Sequence, residues 1–303
     1  MSGLDPILRE LREALPELSI KENEPLSEHC SFRIGGRCAA FVEPASEREI
    51  AELCRILRAH GEKPILMGNG SNLLISDEHF ERVVLHLGSA FSAAEQVGET
   101  GLYACSGITL RKLALTAAEH SLTGLEFAHG IPGTLGGAVS MNAGAYGGEM
   151  VQVVRRVRYL SPELELRETD EPQLSYRHSR FSDTEDVILG AELELQRGEE
   201  TAIREQMDTL MEKRRASQPL NMPSAGSTFK RPVGGYAAAL IDQAGLKGFA
   251  VGGAQVSEKH AGFVVNRGGA SFEDVLRLME EIRERVYAAS GITLEPEVKI
   301  VRP

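Results

Sequence analysis

The sequence predicts a mixed α+β fold. Three observations carry that expectation. Residues 46–61 and 271–290 have helical apolar spacing with start and stop signals, residues 187–195 alternate with a period of two, and glycine-rich turns follow short apolar runs. At 303 residues the chain has room for two or three domains and a sizeable core.

The elements follow in order. From Met1 to Lys21, Leu alternates with Glu and Arg, as in a short amphipathic helix rather than a signal peptide. Ser46 to Gly61 reads as a helix, with Ser46 and Glu49 as a capping box, apolar Ile50, Leu53 and Leu57, and a closing glycine. Lys63 to Gly68 reads as a short strand entering the turn Gly68-Asn69-Gly70-Ser71-Asn72, from which Leu73, Leu74 and Ile75 lead out to Asp77. Strands are expected at Arg82–Leu87 and Leu102–Ser106, and a helix from Thr109 to His120. From Val187 to Leu195 the alternation indicates a strand with one face toward water near its end. After Gly198 the character changes. Glu199–Ser217 is a charged helical stretch with Ile203, Met207, Leu210 and Met211 on one face. Ser271–Ser290 is the clearest helix, with Ser271 and Asp274 as capping partners and Val275, Leu278, Met279, Ile282 and Val286 as its stripe.

Bulk properties exclude several function classes. A composition 42% hydrophobic and 25% charged is that of an ordinary soluble protein, and no apolar run approaches the roughly 18 residues of a membrane span. The net charge of −11 argues against a nucleic-acid or anionic-membrane surface. Cys30, Cys38, Cys54 and Cys105 lack metal-ligand spacing and form no disulfide framework, so no metal site is expected and a cytoplasmic location is.

The stretch Gly130–Gly148 holds seven glycines and no charged side chain. Glycine is costly to order, so such a stretch marks a backbone that comes close to something. Ile131, Leu135, Val139 and Met141 alternate with the glycines, which argues against a flexible linker and for a loop whose N–H groups cradle phosphate oxygens or a flat ring. The Gly68–Asn72 turn has spare N–H and hydroxyl donors. It is neither a P-loop nor a dinucleotide fingerprint, and alone it suits a tight hairpin as well as a phosphate. Paired with the longer loop, it favours a dinucleotide-sized ligand.

Candidate chemistry lies in charged residues set among small ones. In Ser224–Pro232, Ser227 reads as a nucleophile, a proton donor or a turn residue. No G-x-S-x-G elbow is present. Tyr176-Arg177-His-Ser-Arg180-Phe suits an exposed loop or an anion clamp, and Glu295 and Glu297 have solvated carboxylates as their default reading.

Together, seven motifs in order resemble the UDP-N-acetylenolpyruvoylglucosamine reductase family. They are His29–Gly36, Gly68–Leu74, Gly130–Gly137, Asn142–Gly147, Tyr176–Phe181, Ser224–Pro232 and Leu294–Val298. The resemblance implies a two-lobed FAD-binding module of the vanillyl-alcohol-oxidase (PCMH) type plus a C-terminal α+β substrate domain. With the change of character near residue 198, the expected division is 1–66 and 67–198 for the two FAD lobes and 199–303 for the substrate domain. On this resemblance the pyrophosphate is held by Gly68, Asn69, Gly70, Ser71 and Asn72. The flavin and its linker are lined by Gly130, Ile131, Pro132, Gly133, Gly136, Gly137, Ala138, Asn142, Gly144 and Ala145. Related flavoproteins tether FAD through a His in the first loop; none lies there, so FAD is expected to be non-covalent.

The implied activity belongs to peptidoglycan biosynthesis, and through it to cell-wall biogenesis, cell shape and cell division. NADPH reduces FAD and leaves, and the enolpyruvyl sugar nucleotide then receives the hydride at C3, giving UDP-N-acetylmuramate. Arg177 matches the arginine that binds the substrate carboxylate, Ser227 the proton donor to C2, and Glu297 the acid that polarises the enol. Tyr176, Arg214, Gln218, Lys230, Arg231 and Asn266 are the expected substrate-binding residues. The length, with Gln218-Pro-Leu before and Lys230-Arg231-Pro232 after the serine motif, looks like the shorter subclass, which lacks an inserted tyrosine loop. The partners implied are a UDP-sugar and NADPH, with no nucleic acid or membrane; oligomeric state is left open, a monomer being the default. Two alternatives stand beside this reading: an FAD-dependent oxidase of the same fold acting on an alcohol or sugar, and a non-enzymatic nucleotide-binding protein.

Overall fold

The computed structural model describes residues 4–303. The chain gathers into two compact units that interleave in sequence. The first takes the residues up to Glu22, Ala39–Asn69 and Glu81–Lys213; the second takes Asn23–Cys38, Gly70–Phe80 and Arg214–Pro303. The chain thus leaves the first unit inside the helix Glu200–Ser217, between Lys213 and Arg214.

The first unit has two apolar cores. One is built by the helices Asp5–Ala14 and Glu47–Ala59 against strand residues Ala40, Val42, Val83 and Leu85. The N-terminal helix is shorter than the leucine pattern predicts. Pro16 disfavours helical backbone at Leu15, so the helix closes at Ala14 and the chain resumes as the strand Ser19–Pro25. Met1–Gly3, also part of that expectation, lie outside the described residues. The Ser46 hydroxyl accepts the Glu49 N–H at 3.2 Å, as the capping box requires, but the Glu49 carboxylate accepts from Ala45 at 2.7 Å instead of reaching back to Ser46.

The second core lies on a five-stranded antiparallel sheet with the spatial order Leu166–Thr169, Val154–Leu160, Val187–Glu194, Gly101–Cys105 and Ala94–Val97. Val187 and Leu189 pack into the first core and Ile188 into the second, so this central strand serves both. Its expected water-facing end is confined to half-buried Glu192 and exposed Glu194. The helix Leu110–Glu119, capped by the Thr109 hydroxyl, adds Leu113, Ala114 and Ala117 to the second core. In the helix Glu200–Ser217, Ile203 and Met207 are buried as predicted, whereas Leu210 and Met211 are half-buried.

The second unit holds a four-stranded sheet ordered Ser224–Ser227, Phe263–Asn266, Ala254–Val256, Ala250–Val251. The helix Phe272–Ser290 packs on it, with a complete Ser271/Asp274 capping box, a left-handed Gly291 at its end and all five predicted stripe residues buried. Truncating one of them, such as fully buried Ile282 to Ala, removes contacts worth about 2–5 kcal/mol. The Asp77 carboxylate accepts the Phe272 N–H at 2.6 Å, and Leu73–Ile75 pairs in parallel with Lys299–Val301. These contacts fix the end of the first glycine turn beside the C-terminal segment.

Candidate functional site

In the first unit the two glycine-rich stretches meet. A Cβ on Gly68 would fall inside van der Waals contact of Thr134 Oγ1, so the close approach requires glycine there. The longer stretch is not a loop throughout. Leu135–Ser140 forms a short helix, because Leu135, Ala138 and Val139, at i, i+3 and i+4, are all buried and outweigh the cost of Gly136 and Gly137. The Gly136 amide donates to the Ser106 carbonyl at 2.8 Å, and Leu135 donates to Ile108 at 2.9 Å. Gly130, Ile131 and Gly133 are half-buried, Pro132 and Gly137 are exposed, and Gly144 and Ala145 start a small hairpin that returns through Gly148–Glu149.

Arg177 sits in a tight turn closed by Ser175 and His178, which exchange backbone hydrogen bonds of 2.9 and 3.1 Å. Its φ is +54°, a left-handed conformation unusual for arginine. Its guanidinium lies 5.2 Å from the centroid of the exposed Tyr176 ring and 3.5 Å from the carbonyl of Asn142. The turn docks on the far end of the glycine stretch: the Ser179 and Ser182 hydroxyls donate to the Ser140 carbonyl at 2.7 and 2.8 Å, and the Asn142 amide donates to Ser175 at 3.0 Å.

The second unit brings Ser227, Asn72 and Glu297 to one strand system. Ser224 pairs with Val265 and Ser227 with Phe263, so three steps on one strand face two on its partner; Gly226, at φ +76°, absorbs the extra residue as a bulge. On the other side of this strand, the Glu297 N–H donates to the Thr228 carbonyl at 2.8 Å and Lys230 donates to Glu295 at 2.9 Å. The Asn72 side chain donates to the Glu297 carbonyl at 3.2 Å. Ser227 and Glu297 are half-buried and Glu295 is exposed, so the two carboxylates of the C-terminal motif differ in environment.

The other expected residues are more dispersed. Arg214 extends the buried stripe of its helix and is only 9% exposed; Gln218 follows the helix end, its N–H donating to the Arg214 carbonyl. Lys230 pairs with Glu295 at 3.6 Å, and the Arg231 guanidinium lies 4.3 Å from the Tyr236 ring centroid. Asn266 is buried, donating to the Phe32 carbonyl and accepting from Gly268 and Ala270, so most of its amide serves the local turn. Sequence reasoning missed Thr228, whose hydroxyl accepts from Val264 while its carbonyl holds Glu297, and Thr134, which abuts Gly68. It also missed Ser106 and His129. Ser106 Oγ, His129 Nδ1 and Gln218 Oε1 are buried without hydrogen-bond partners.

These features fit a flavin nucleotide: the Gly68–Thr134 approach allows no bulk at that point, and Ser106, whose hydroxyl has no hydrogen-bond partner, packs its Cβ against Gly136. Among the described residues no group of three or more His, Cys, Asp or Glu could hold a metal ion. The four cysteines are free thiols, and burial raises their pKa, to about 12 for Cys54 and about 11 for Cys38.

Comparison with known proteins gives the same picture. Residues 38–170 match the model of an FAD binding domain, and residues 218–301 that of the UDP-N-acetylenolpyruvoylglucosamine reductase C-terminal domain. The chain is 44% identical over 297 residues to the UDP-N-acetylenolpyruvoylglucosamine reductase of Caldanaerobacter subterraneus subsp. tengcongensis, covering 97% of this chain and 98% of that one. The crystal structure of the Thermus caldophilus reductase superposes with a TM-score of 0.80 at 30% identity, covering 94% of this chain and 99% of that one. An alkyldihydroxyacetonephosphate synthase structure (TM-score 0.50, 18% identity, 63% of this chain and 40% of that one) shares the fold alone. The fold is therefore α+β with an FAD-binding module of the vanillyl-alcohol-oxidase type, and the chain belongs to the UDP-N-acetylenolpyruvoylglucosamine reductase family.

Proposed function

We propose that Arg177, Ser227 and Glu297 carry the substrate chemistry of an FAD-containing, NADPH-dependent reductase that converts UDP-N-acetylenolpyruvoylglucosamine to UDP-N-acetylmuramate in peptidoglycan precursor synthesis. The observation that best supports it is the bulged strand at Ser227, which sets a half-buried hydroxyl next to Thr228, the residue holding Glu297. When bound, FAD supplies hydride transfer from NADPH to C3 of the enolpyruvyl double bond. Charge then builds on the substrate carboxylate and C2. Arg177, permanently charged and planar, forms a fork to both carboxylate oxygens. Glu297 helps only as a protonated acid or by sharing a proton with the substrate, since a bare carboxylate would oppose that charge. Ser227 gives its proton to C2, assisted by nearby Lys230 or Arg231, because a serine hydroxyl alone is a weak acid.

FAD is held non-covalently by Gly68, Asn69, Gly70, Ser71 and Asn72 at the pyrophosphate. Gly130, Ile131, Pro132, Gly133, Gly136, Gly137, Ala138, Asn142, Gly144 and Ala145 line the flavin and its linker. Tyr176, Arg214, Gln218, Lys230, Arg231 and Asn266 serve the sugar nucleotide. In this scheme residues 1–66 and 67–198 are the cofactor lobes and 199–303 the substrate domain. The same reading gives a cytoplasmic location, supported by four free cysteines, with a monomer as the default, and a role in cell-wall biogenesis and so in cell shape and division. Rapid-mixing spectroscopy of Ser227→Ala tests the assignment. Bleaching of the flavin by NADPH stays nearly intact while reduction of the sugar nucleotide falls at least about a hundredfold, as for a lost general acid. Unchanged turnover would remove Ser227 from the mechanism.

A further inference from the structure

Asn142 and Arg177 both have left-handed backbone, φ +46° and +54°, and they touch. Two such non-glycine residues side by side are costly unless their surroundings fix them. The fixing comes largely from the Asn142 side chain. It is 1% exposed; its Nδ2 donates to the Ser175 carbonyl at 3.0 Å and to Glu149 Oε2 at 3.2 Å, and its Oδ1 accepts the Val151 N–H at 2.9 Å. Both amide protons are therefore used within the protein. The bond to Ser175 anchors the first residue of the turn that carries Arg177, and the Asn142 carbonyl lies 3.5 Å from Arg177 Nη1. The hydroxyls of Ser179 and Ser182 fasten the other side of the turn to Ser140.

We propose that Asn142 is a positioning residue for Arg177: its buried carboxamide holds the left-handed turn so that the guanidinium is pre-aligned for the substrate carboxylate. The proposal rests on the reading that Arg177 binds that carboxylate. Such second-tier support matters because a small misplacement of an orienting group lowers rate or affinity steeply. The residue acts on the substrate step through Arg177.

The test uses holoenzyme carrying Asn142→Gly, which keeps the left-handed backbone without strain and deletes the amide, and Asn142→Asp, which keeps the acceptor for Val151 and loses the donors. Each is made alone and combined with Arg177→Ala. Flavin content, reduction by NADPH, and dissociation constants for the enolpyruvyl sugar nucleotide and for the same sugar nucleotide lacking the enolpyruvyl group are measured. Both Asn142 variants are compared with the parent per bound flavin and against their own rate of reduction by NADPH, because Asn142 also stands among the residues assigned to the cofactor. They weaken binding or slow reduction of the carboxylate-bearing substrate about 10- to 100-fold, leave the carboxylate-free ligand's affinity within about twofold, and add less than about threefold once Arg177 is alanine. An equal loss for both sugar nucleotides, or effects that multiply in the double variants, overturns the proposal. If Arg177→Ala is impaired and the Asn142 variants are not, positioning fails alone; if Arg177→Ala is unimpaired, the carboxylate reading falls with it. Should Asn142→Gly fail to fold, Asn142→Asp carries the same comparisons.

Discussion

The backbone N–H of Glu297 donates to the Thr228 carbonyl at 2.8 Å, next to the residue assigned as proton donor. The Asn72 side chain also donates to the Glu297 carbonyl at 3.2 Å, so two contacts to its main chain help place Glu297. A glutamine at this position leaves both main-chain contacts in place. Glu297→Gln is expected to keep its FAD, its melting temperature within about 2 °C and its rate of reduction by NADPH, while reduction of the enolpyruvyl substrate falls about 10²–10⁴-fold. Rapid-mixing absorbance of the two half-reactions reads both. A variant as fast as the parent in the second half removes Glu297 from the chemistry.

Much of this arrangement is legible from local pattern. The helix Phe272–Ser290 follows from its capping box and stripe, and Glu47–Ala59 from Ser46, because both signals are short-range backbone chemistry. What the pattern hides are features set by tertiary contact. The helix Leu135–Ser140 sits in a glycine-rich stretch whose low helix propensity is overridden by burial of three apolar side chains. The bulge at Gly226 depends on the register of a strand some forty residues away, Phe263–Asn266, and no local signal fixes it. Asn142 is visible as a residue in a motif, but its three side-chain bonds reach Ser175, Glu149 and Val151, which spacing alone does not connect.

The contact between the glycine stretches makes a packing prediction. In Gly68→Ala the new methyl group collides with Thr134 Oγ1, while the Thr134 Cβ and Cγ2 atoms stand at 3.4 Å, close but tolerable. Gly68→Ala should therefore lower stability by about 1–3 kcal/mol, as overpacking does, and reduce the flavin retained on purification. Adding Thr134→Ala removes the offending oxygen and should restore most of both losses. Chemical denaturation and the absorbance ratio of flavin to protein check this. A double variant no better than Gly68→Ala excludes the contact as the cause.

The thiols should be inert in the folded protein. Cys54 is buried and its pKa is raised to about 12; Cys38 is fully buried and raised to about 11, in each case because burial disfavours the thiolate. At pH 8 in native conditions, alkylation followed by mass spectrometry should leave these two unmodified for hours, and denaturant should expose them to full reaction within minutes. Rapid native labelling of Cys54 would contradict its placement on the buried face of the helix Glu47–Ala59.

Acid should destabilise the protein in two separate windows. His260 is held neutral: burial lowers its pKa and Lys247 adds to that, while its Nδ1 accepts the Gly262 N–H at 3.2 Å, a bond the protonated ring cannot accept. His129 is lowered likewise, by burial first and then by Arg111, with Asp208 opposing. The unfolded chain then binds more protons than the folded one once the pH falls toward the ordinary histidine value of 6.5, so stability decreases as pH drops through and below that value. The carboxylates act lower. Asp274, held low chiefly by the backbone N–H groups of Ser271 and Gly253, contributes stability that is present above its ordinary value of 3.8 and lost as the pH falls below it. Denaturation midpoints measured between pH 7.5 and 5 therefore isolate the histidines. A falling midpoint is expected across that range, and the double variant His129→Gln, His260→Gln should flatten it. An unchanged slope in the double variant would assign the acid sensitivity to other groups.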